Sequence, residues 1–170
     1  MFIFVIMIEI TGKILFDPKD RTKKHKFQSE WKRMVLVEFS GDLCDYYSWF
    51  IKKRYNLELN RPLRGAHVSF INDSVRDMGV HADKWEDIKK KYNGTEVTLT
   101  LDPDVESDSK HWWLVVEHES RKPLLDIRSE LGLGKPYFGM HLTVGYANER
   151  NIEHSRYIVD NVVKYGGGYN

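Results

Sequence analysis

Two short segments of the sequence share one pattern, and this repetition limits the possible folds more than any other feature. Residues 66–70 read Ala-His-Val-Ser-Phe, and residues 140–144 read Met-His-Leu-Thr-Val. Apolar residues alternate with a histidine and a hydroxyl in both, which predicts two β-strands with one buried face. Residues i and i+2 of a strand project from the same face. We therefore expect the histidine and the hydroxyl of each segment to project together.

The elements that surround the two segments are also arranged alike. A strand, a helix and a loop containing Arg, Pro and Gly lead into the first segment, all within residues 34–71. The same order, with Lys in the loop, leads into the second within residues 111–147. The chain of 170 residues has the length of one ordinary domain. We therefore predict an α+β fold in one domain over residues 1–170: two pseudo-symmetric lobes, each an antiparallel sheet with outer helices, separated by a cleft.

Further elements follow from the hydrophobic pattern. Alternation predicts strands over residues 8–16 and 96–101, and the second of these is expected to form a hairpin with a strand over residues 111–118. Apolar residues at helical spacing predict helices over residues 43–59, 83–92, 122–134 and 152–165. Residues 17–32 contain six Lys and Arg residues. This segment is interpreted either as a solvated loop or as an arm that faces phosphate.

Composition excludes several classes of protein. Lys and Arg number 26 against 25 Asp and Glu, a net charge of +1, so any preference for an anion must be local. The single cysteine, Cys44, excludes an internal disulfide and a CxxC zinc site. Residues 1–8 are apolar but far shorter than the roughly 20 residues of a membrane span, and they lack the features of a secretory signal. We expect a cytoplasmic protein without membrane association or an obligate protein partner, with Met7 an alternative start to Met1.

The two H-x-[ST] motifs, with histidines 74 positions apart in a chain of this size, resemble those of the two-histidine (2H) phosphoesterase superfamily. That superfamily includes 2′,3′-cyclic nucleotide phosphodiesterases, RNA 2′,5′-ligase-like proteins, enzymes that degrade 2′,5′-oligoadenylates, and phage enzymes that cleave cyclic-oligonucleotide immune signals. The resemblance covers roughly residues 33–147. It implies that His67, Ser69, His141 and Thr143 form the catalytic set. The first motif has Ser where Thr is commoner, which keeps the hydroxyl.

These residue types suit phosphodiester hydrolysis without a metal ion or cofactor. The reaction needs a base for the attacking oxygen and an acid for the leaving oxygen, and an imidazole with a pKa of about 6.5 can serve in either role. The hydroxyls can donate hydrogen bonds to the non-bridging phosphate oxygens. The sequence leaves open which histidine is the base. Paired histidines can also bind a metal, but neither motif contains the carboxylate or third histidine that such a site normally uses.

Cations and aromatic residues near the motifs suggest a pocket for phosphate and a nucleobase. The candidates for substrate binding are Arg61, Arg64, Lys135, Tyr137 and Trp112. The three cations precede the motifs and can bind phosphate. The aromatic residues can stack on a base, provided that Trp112 is exposed and its neighbour Trp113 is the buried one. Tyr146, five residues after His141, is expected to face away into the core.

The predicted function is that of a phosphodiesterase whose substrate is a nucleotide or a short oligonucleotide. The linkage is expected to be 2′,3′-cyclic, 2′–5′ or that of a cyclic oligonucleotide. The same histidines can serve an RNA 2′,5′-ligase-like reaction, which joins a 2′,3′-cyclic phosphate to a 5′-hydroxyl. A module that binds nucleotides or RNA without turnover is the third interpretation. The modest length of the chain favours a compact ligand over long duplex RNA.

Overall fold

The computed structural model describes residues 6–18, 34–72, 82–136 and 139–153, which form an α+β fold with an antiparallel sheet and four helices. The strands are β1 (Ile8–Phe16), β2 (Val35–Glu38), β3 (His67–Ile71), β4 (Glu96–Leu101), β5 (Glu106–Ser107), β6 (His111–Val115) and β7 (His141–Tyr146). The helices are α1 (Asp42–Tyr55), α2 (Ala82–Tyr92), α3 (Lys122–Glu130) and α4 (Glu149–Glu153), with a 3-10 turn at Glu119–Arg121. The predicted α+β class and antiparallel pairing are confirmed. The basic loop and most of the helix predicted over residues 152–165 lie outside the described residues.

All seven strands belong to one sheet, in the order β4-β1-β2-β3-β7-β6-β5. The hairpin predicted between residues 96–101 and 111–118 is limited to one antiparallel bridge, because β4 pairs with β1 and β6 pairs with β7 along the rest of their lengths. Alternation within a strand indicates which face is buried, but it does not identify the neighbouring strand. The two segments do meet at their ends, where an isolated bridge joins Leu101 to Val116. The sheet therefore curls and brings distant strands together.

The hydrophobic core lies between the helices and one face of the sheet, here called the core face. From β3 and β7 it receives Val68, Phe70, Leu142 and Val144, all buried. Helix α2 contributes the fully buried Trp85, whose ring packs edge-on against Phe16 at 5.3 Å between centroids. Its indole Nε1 donates a hydrogen bond of 3.1 Å to the Asp17 carboxylate. Burial of a large apolar side chain contributes about 1.5–3 kcal/mol, so these contacts hold the helices on this face.

The chain that follows α1 returns alongside the end of β7. Helix α1 ends where Asn56 adopts a left-handed conformation, with φ of 52°. Asn60 and Tyr146 then exchange two backbone hydrogen bonds, of 2.7 and 3.0 Å. At Gly145 a Cβ atom would lie 2.8 Å from the Leu59 Cβ, so only glycine fits this approach. The loop that carries Arg61 is thereby fixed against the strand of the second motif.

Candidate active site

The two motifs lie on neighbouring strands of the sheet. Their central residues, Val68 of β3 and Leu142 of β7, form an antiparallel pair. Both side chains are fully buried on the core face. The residues on either side of them are half-buried and alternate with the core residues along both strands. The motif residues therefore project from the opposite face, which we call the histidine face.

The strand register places each histidine beside the hydroxyl residue of the other motif. In an antiparallel pair, one step forward on one strand matches one step back on its partner, and directly opposite residues share a face. Val68 and Leu142 are the one registered pair between β3 and β7, and one step along each strand from that pair brings His67 level with Thr143 and Ser69 level with His141. The structure thus brings two imidazoles and two hydroxyls together on one face.

Both imidazole rings are held by the backbone in the same way. The Nδ1 atom of His67 lies 2.9 Å from the carbonyl oxygen of Gly65, and the Nδ1 atom of His141 lies 2.8 Å from that of Gly139. A carbonyl oxygen only accepts hydrogen bonds, so Nδ1 carries the hydrogen in both rings. In the neutral ring Nε2 is then the nitrogen that can accept a proton. In both motifs the residue that supplies the carbonyl is a glycine two positions before the histidine. This shared G-x-H spacing is visible in the sequence and was not among the predicted features.

The two histidines differ in their surroundings. Burial lowers the pKa of His141 below its ordinary value of about 6.5. The hydrogen bond to the Gly139 carbonyl acts in the opposite direction, and the charge of His111 lowers the pKa further. The net effect is that the His141 ring is neutral at neutral pH. A neutral ring with its hydrogen on Nδ1 can take up a proton at Nε2.

A carboxylate stands next to the first histidine on the same face. Glu38 of β2 lies directly opposite His67 in the antiparallel register, and Lys13 of β1 lies opposite Glu38. The Glu38 side chain is exposed. The motifs themselves contain no carboxylate, and only the pairing of β2 with β3 reveals this one. Sequence spacing gave no signal for it, because 29 positions separate Glu38 from His67.

The two adjacent tryptophans do not have the roles expected for them. Trp112 is only 2% exposed and packs in the core against Tyr55, at 5.7 Å between ring centroids. The expectation that Trp112 is an exposed platform for a base is therefore wrong, because the end of α1 covers that face. Trp113 is buried as expected. It lies opposite Thr143 and packs edge-on against the His141 ring at 6.3 Å, so it forms one wall of the site.

The expectation for Tyr146 is corrected by an irregularity in the pairing of β6 with β7. The register shifts between Trp112 and Trp113, so that β7 has one extra residue, Val144, at this point. Beyond the shift Tyr146 lies opposite His111 and is half-buried. A regular strand would have turned Tyr146 toward the core, but the extra residue returns it to the histidine face.

The predicted cations occupy different places. Arg61 is 85% exposed and its guanidinium lies 3.5 Å from the Asp45 carboxylate of α1, which holds it on the helix side of the sheet. Arg64 is half-buried, and its guanidinium contacts the sulfur of Met34, just before β2. Arg64 thus lies beside the start of β2, whereas Arg61 lies beside α1.

The remaining substrate-binding candidates come from the loop before β7. Lys135 is exposed there, four residues before Gly139. Tyr137 lies outside the described residues.

Helix α1 packs against β7 on the core face, where the buried Cys44 thiol donates a hydrogen bond of 3.5 Å to the Thr143 carbonyl. Burial, and secondarily the Asp45 charge, raise the pKa of Cys44 to about 11, which makes this thiol structural rather than reactive.

A separate polar pocket of about 530 Å³ lies between the end of α1 and α4. It is lined by Lys52, Asn56, Glu58, Asn148, Arg150 and Asn151. None of the motif residues borders it. The pocket is therefore distinct from the histidine face.

Comparison of the chain with family models, curated proteins and solved structures finds no match in any of the three. Within the described part of the chain, no helix has the length and apolar character needed to cross a membrane.

Proposed function

We propose that this protein is a cytoplasmic, metal-independent phosphodiesterase of the two-histidine type, with a nucleotide or short oligonucleotide as its substrate. One observation carries the proposal. Two H-x-[ST] motifs project from neighbouring antiparallel strands, and each histidine donates Nδ1–H to the carbonyl oxygen of the glycine two residues before it. Histidines that only fill space do not need matched tautomers or matched hydroxyl neighbours. Two histidines that act as acid and base on one phosphate need both.

The proposed mechanism assigns the base to His141. Its lowered pKa keeps the ring neutral at neutral pH, so Nε2 can take the proton of the attacking oxygen as that oxygen bonds to phosphorus. His67 then donates a proton to the leaving oxygen as its bond to phosphorus breaks. Glu38 is the partner of His67 across β2 and β3, so the strand register places its carboxyl group on the same face beside this ring. The two rings have the same backbone contact but different neighbours, and this difference is the basis for assigning one as base and the other as acid.

The hydroxyls of Ser69 and Thr143 are proposed to bind the non-bridging phosphate oxygens. They lie between the histidines on the same face, where a phosphate that contacts both rings would sit. Donors placed toward those oxygens stabilise the charge of the transition state. Arg64, whose guanidinium contacts the Met34 sulfur just before β2, is proposed to make an additional phosphate contact.

The two lobes are proposed to be the two parts of the single sheet on either side of the pairing of β3 with β7, with the cleft above that pairing. One part is β4-β1-β2-β3 and the other is β7-β6-β5. Among the described residues, β3 and β7 share one registered pair, Val68 with Leu142, whereas β1 and β4 share six; the bridge from Leu101 to Val116 joins the two parts again at their other edge. A narrow junction of this kind is what a boundary between lobes needs. The phosphate would then bind above the junction, in contact with residues of both parts.

The test is an activity panel with product analysis by mass spectrometry. The panel contains 2′,3′-cyclic nucleotides, 2′–5′-linked oligoadenylates and cyclic oligonucleotides, each incubated with excess EDTA. We expect hydrolysis of at least one class in the presence of the chelator. Loss of activity with EDTA and recovery with a divalent ion would contradict the metal-independent mechanism. Tight binding of a nucleotide without turnover would show a binding module instead.

Single substitutions then test the roles of the motif residues. His67→Ala and His141→Ala should each lower kcat by about 10²–10⁴-fold, the usual contribution of a general acid or base. Ser69→Ala and Thr143→Ala should cost about 10–10³-fold, as single donors to phosphate. The control is His118→Ala, since His118 is an exposed histidine in the turn after β6. A motif variant as active as this control would contradict the assignment.

A further inference from the structure

A third histidine lies on the histidine face, outside the two motifs. His111 begins β6 and is 57% exposed. It alternates with Trp113, whose ring packs against His141, so the two side chains project from the same face. Its partner across the strands is Tyr146, which the register shift returns to this face. His111 is therefore a polar group at the margin of the proposed site.

The ring of His111 is held by a carboxylate. Its Nδ1 atom lies 3.1 Å from Oδ2 of Asp108, and Oδ1 of the same carboxylate accepts backbone N–H bonds from His111 and Lys110 at 2.6 and 3.0 Å. Burial tends to raise the pKa of Asp108, but these hydrogen bonds outweigh it and the pKa lies below its ordinary value. The carboxylate is thus ionised at neutral pH. The carboxylate fixes Nδ1 on the side of Asp108, so Nε2 is the ring nitrogen on the opposite side, away from Asp108.

We propose that His111, oriented by Asp108, binds a second phosphate group of the substrate. This inference rests on the proposed function and refines it. His111 lies two residues beyond Trp113 along β6, a step of about 7 Å, and Trp113 is level with Thr143 in the site. The step separates His111 from the level of Thr143, so a ligand must extend beyond one phosphate to contact both residues. The charge of His111 also contributes to the lowered pKa of His141, in the same direction as burial.

The proposal distinguishes between classes of substrate. A 2′,3′-cyclic mononucleotide has one phosphate, so it would engage the motif residues and leave His111 without a ligand. A linear or cyclic oligonucleotide has further phosphates and would engage both. A protonated imidazole adds both a charge and a directed N–H donor to such a contact. The preferred substrate is therefore a nucleotide ligand with at least two phosphate groups.

The experiment compares 2′–5′-linked diadenylates that differ only in a terminal phosphate, with none, one at the 5′ end, or one at the 2′ end. For each, kcat/KM and the Kd from titration calorimetry are measured at pH 6, below the ordinary imidazole pKa of about 6.5. We expect the wild-type protein to prefer one of the phosphorylated forms by about tenfold, the effect of one charge-assisted hydrogen bond. The cleaved linkage is the same in all three, so the ratio of their kcat/KM values, or of their Kd values, measures the effect of the terminal phosphate alone.

Three variants complete the test. His111→Ala should reduce the ratio of the phosphorylated to the unphosphorylated form to about one, and His111→Lys should retain the preference, because lysine supplies N–H donors and a positive charge at the same place. His118→Ala is the matched control and should keep the wild-type ratio. A wild-type protein without preference, or a preference that survives in His111→Ala, would overturn the proposal. If no diadenylate is cleaved, the hydrolytic function fails on this linkage, but the Kd ratios still decide whether His111 binds the second phosphate.

Discussion

The buried guanidinium of Arg128 gives the strongest prediction about stability. Arg128 of α3 is 1% exposed, and its Nη1 donates a hydrogen bond of 2.9 Å to the carbonyl oxygen of Phe70, the residue after Ser69. Its Nε and Nη2 donate to the Gly134 carbonyl at 2.9 and 2.8 Å, in the loop that leads to the second motif. One side chain thus connects the two segments that carry the motifs. We therefore predict that Arg128→Met destabilises the protein and disturbs the site.

The size of the effect follows from these contacts. Hydrogen bonds from a charged group are worth about 1.5–3 kcal/mol each, and a buried carbonyl left without a donor costs about 1–3 kcal/mol. Methionine regains part of this loss through apolar packing, and the charge no longer has to be desolvated. We estimate a net loss of about 3–5 kcal/mol in the free energy of unfolding. For a chain of this size that corresponds to a decrease in Tm of about 6–20 °C.

Urea denaturation followed by tryptophan fluorescence measures this change, since the chain has five tryptophans. The control is Arg61→Met, because Arg61 is 85% exposed and has one ion pair of 3.5 Å with Asp45. An exposed pair of this kind contributes less than about 1 kcal/mol. If Arg128→Met unfolds within 1 kcal/mol of the wild-type protein, the buried guanidinium does not hold the two segments together and the reasoning is refuted.

Three further predictions concern single residues. Gly145→Ala should lower the free energy of unfolding by about 1–3 kcal/mol in the same assay, because the new Cβ would lie 2.8 Å from the Leu59 Cβ; an unchanged midpoint would contradict the close approach. Cys44 should react with a thiol reagent at pH 8 only after urea unfolds the chain, because burial raises its pKa to about 11; rapid labelling of the folded protein would refute this. The pKa of His141 is lower in the folded state, so the unfolded chain binds the proton more tightly and stability falls as the pH drops below about 6.5. His141→Gln should reduce this loss between pH 7.5 and pH 5, and an identical pH dependence in both proteins would show that His141 is not responsible.

Local pattern in the sequence was sufficient to predict the strands of the two motifs. Alternation has a period of two, and the same period decides which side chains share a face. The pattern therefore predicted that His67 and Ser69 project together, and likewise His141 and Thr143. The two strands proved to be direct neighbours, which brings these pairs together.

Features that depend on neighbouring strands and helices could not be predicted in the same way. The burial of Trp112 depends on Tyr55, which is 57 positions away. The position of Glu38 beside His67 depends on the pairing of β2 with β3. The orientation of Tyr146 depends on one extra residue in β7, which no alternation within that strand reveals. Each of these is a nonlocal contact, and a single sequence contains no direct record of it.

The groups that hold the two imidazoles are main-chain carbonyls, and this has a consequence for any mutational survey of the protein. No side-chain substitution removes a carbonyl oxygen, so truncation of the polar side chains around the two rings would leave both contacts to Nδ1 intact and would not reveal them. The orientation of the rings is instead encoded in the path of the backbone. At Gly65 that path requires φ of 72°, which other residues rarely adopt. Substitution of a residue without any reactive group, two positions before His67, would thus turn the imidazole away while every polar side chain of the site remained in place.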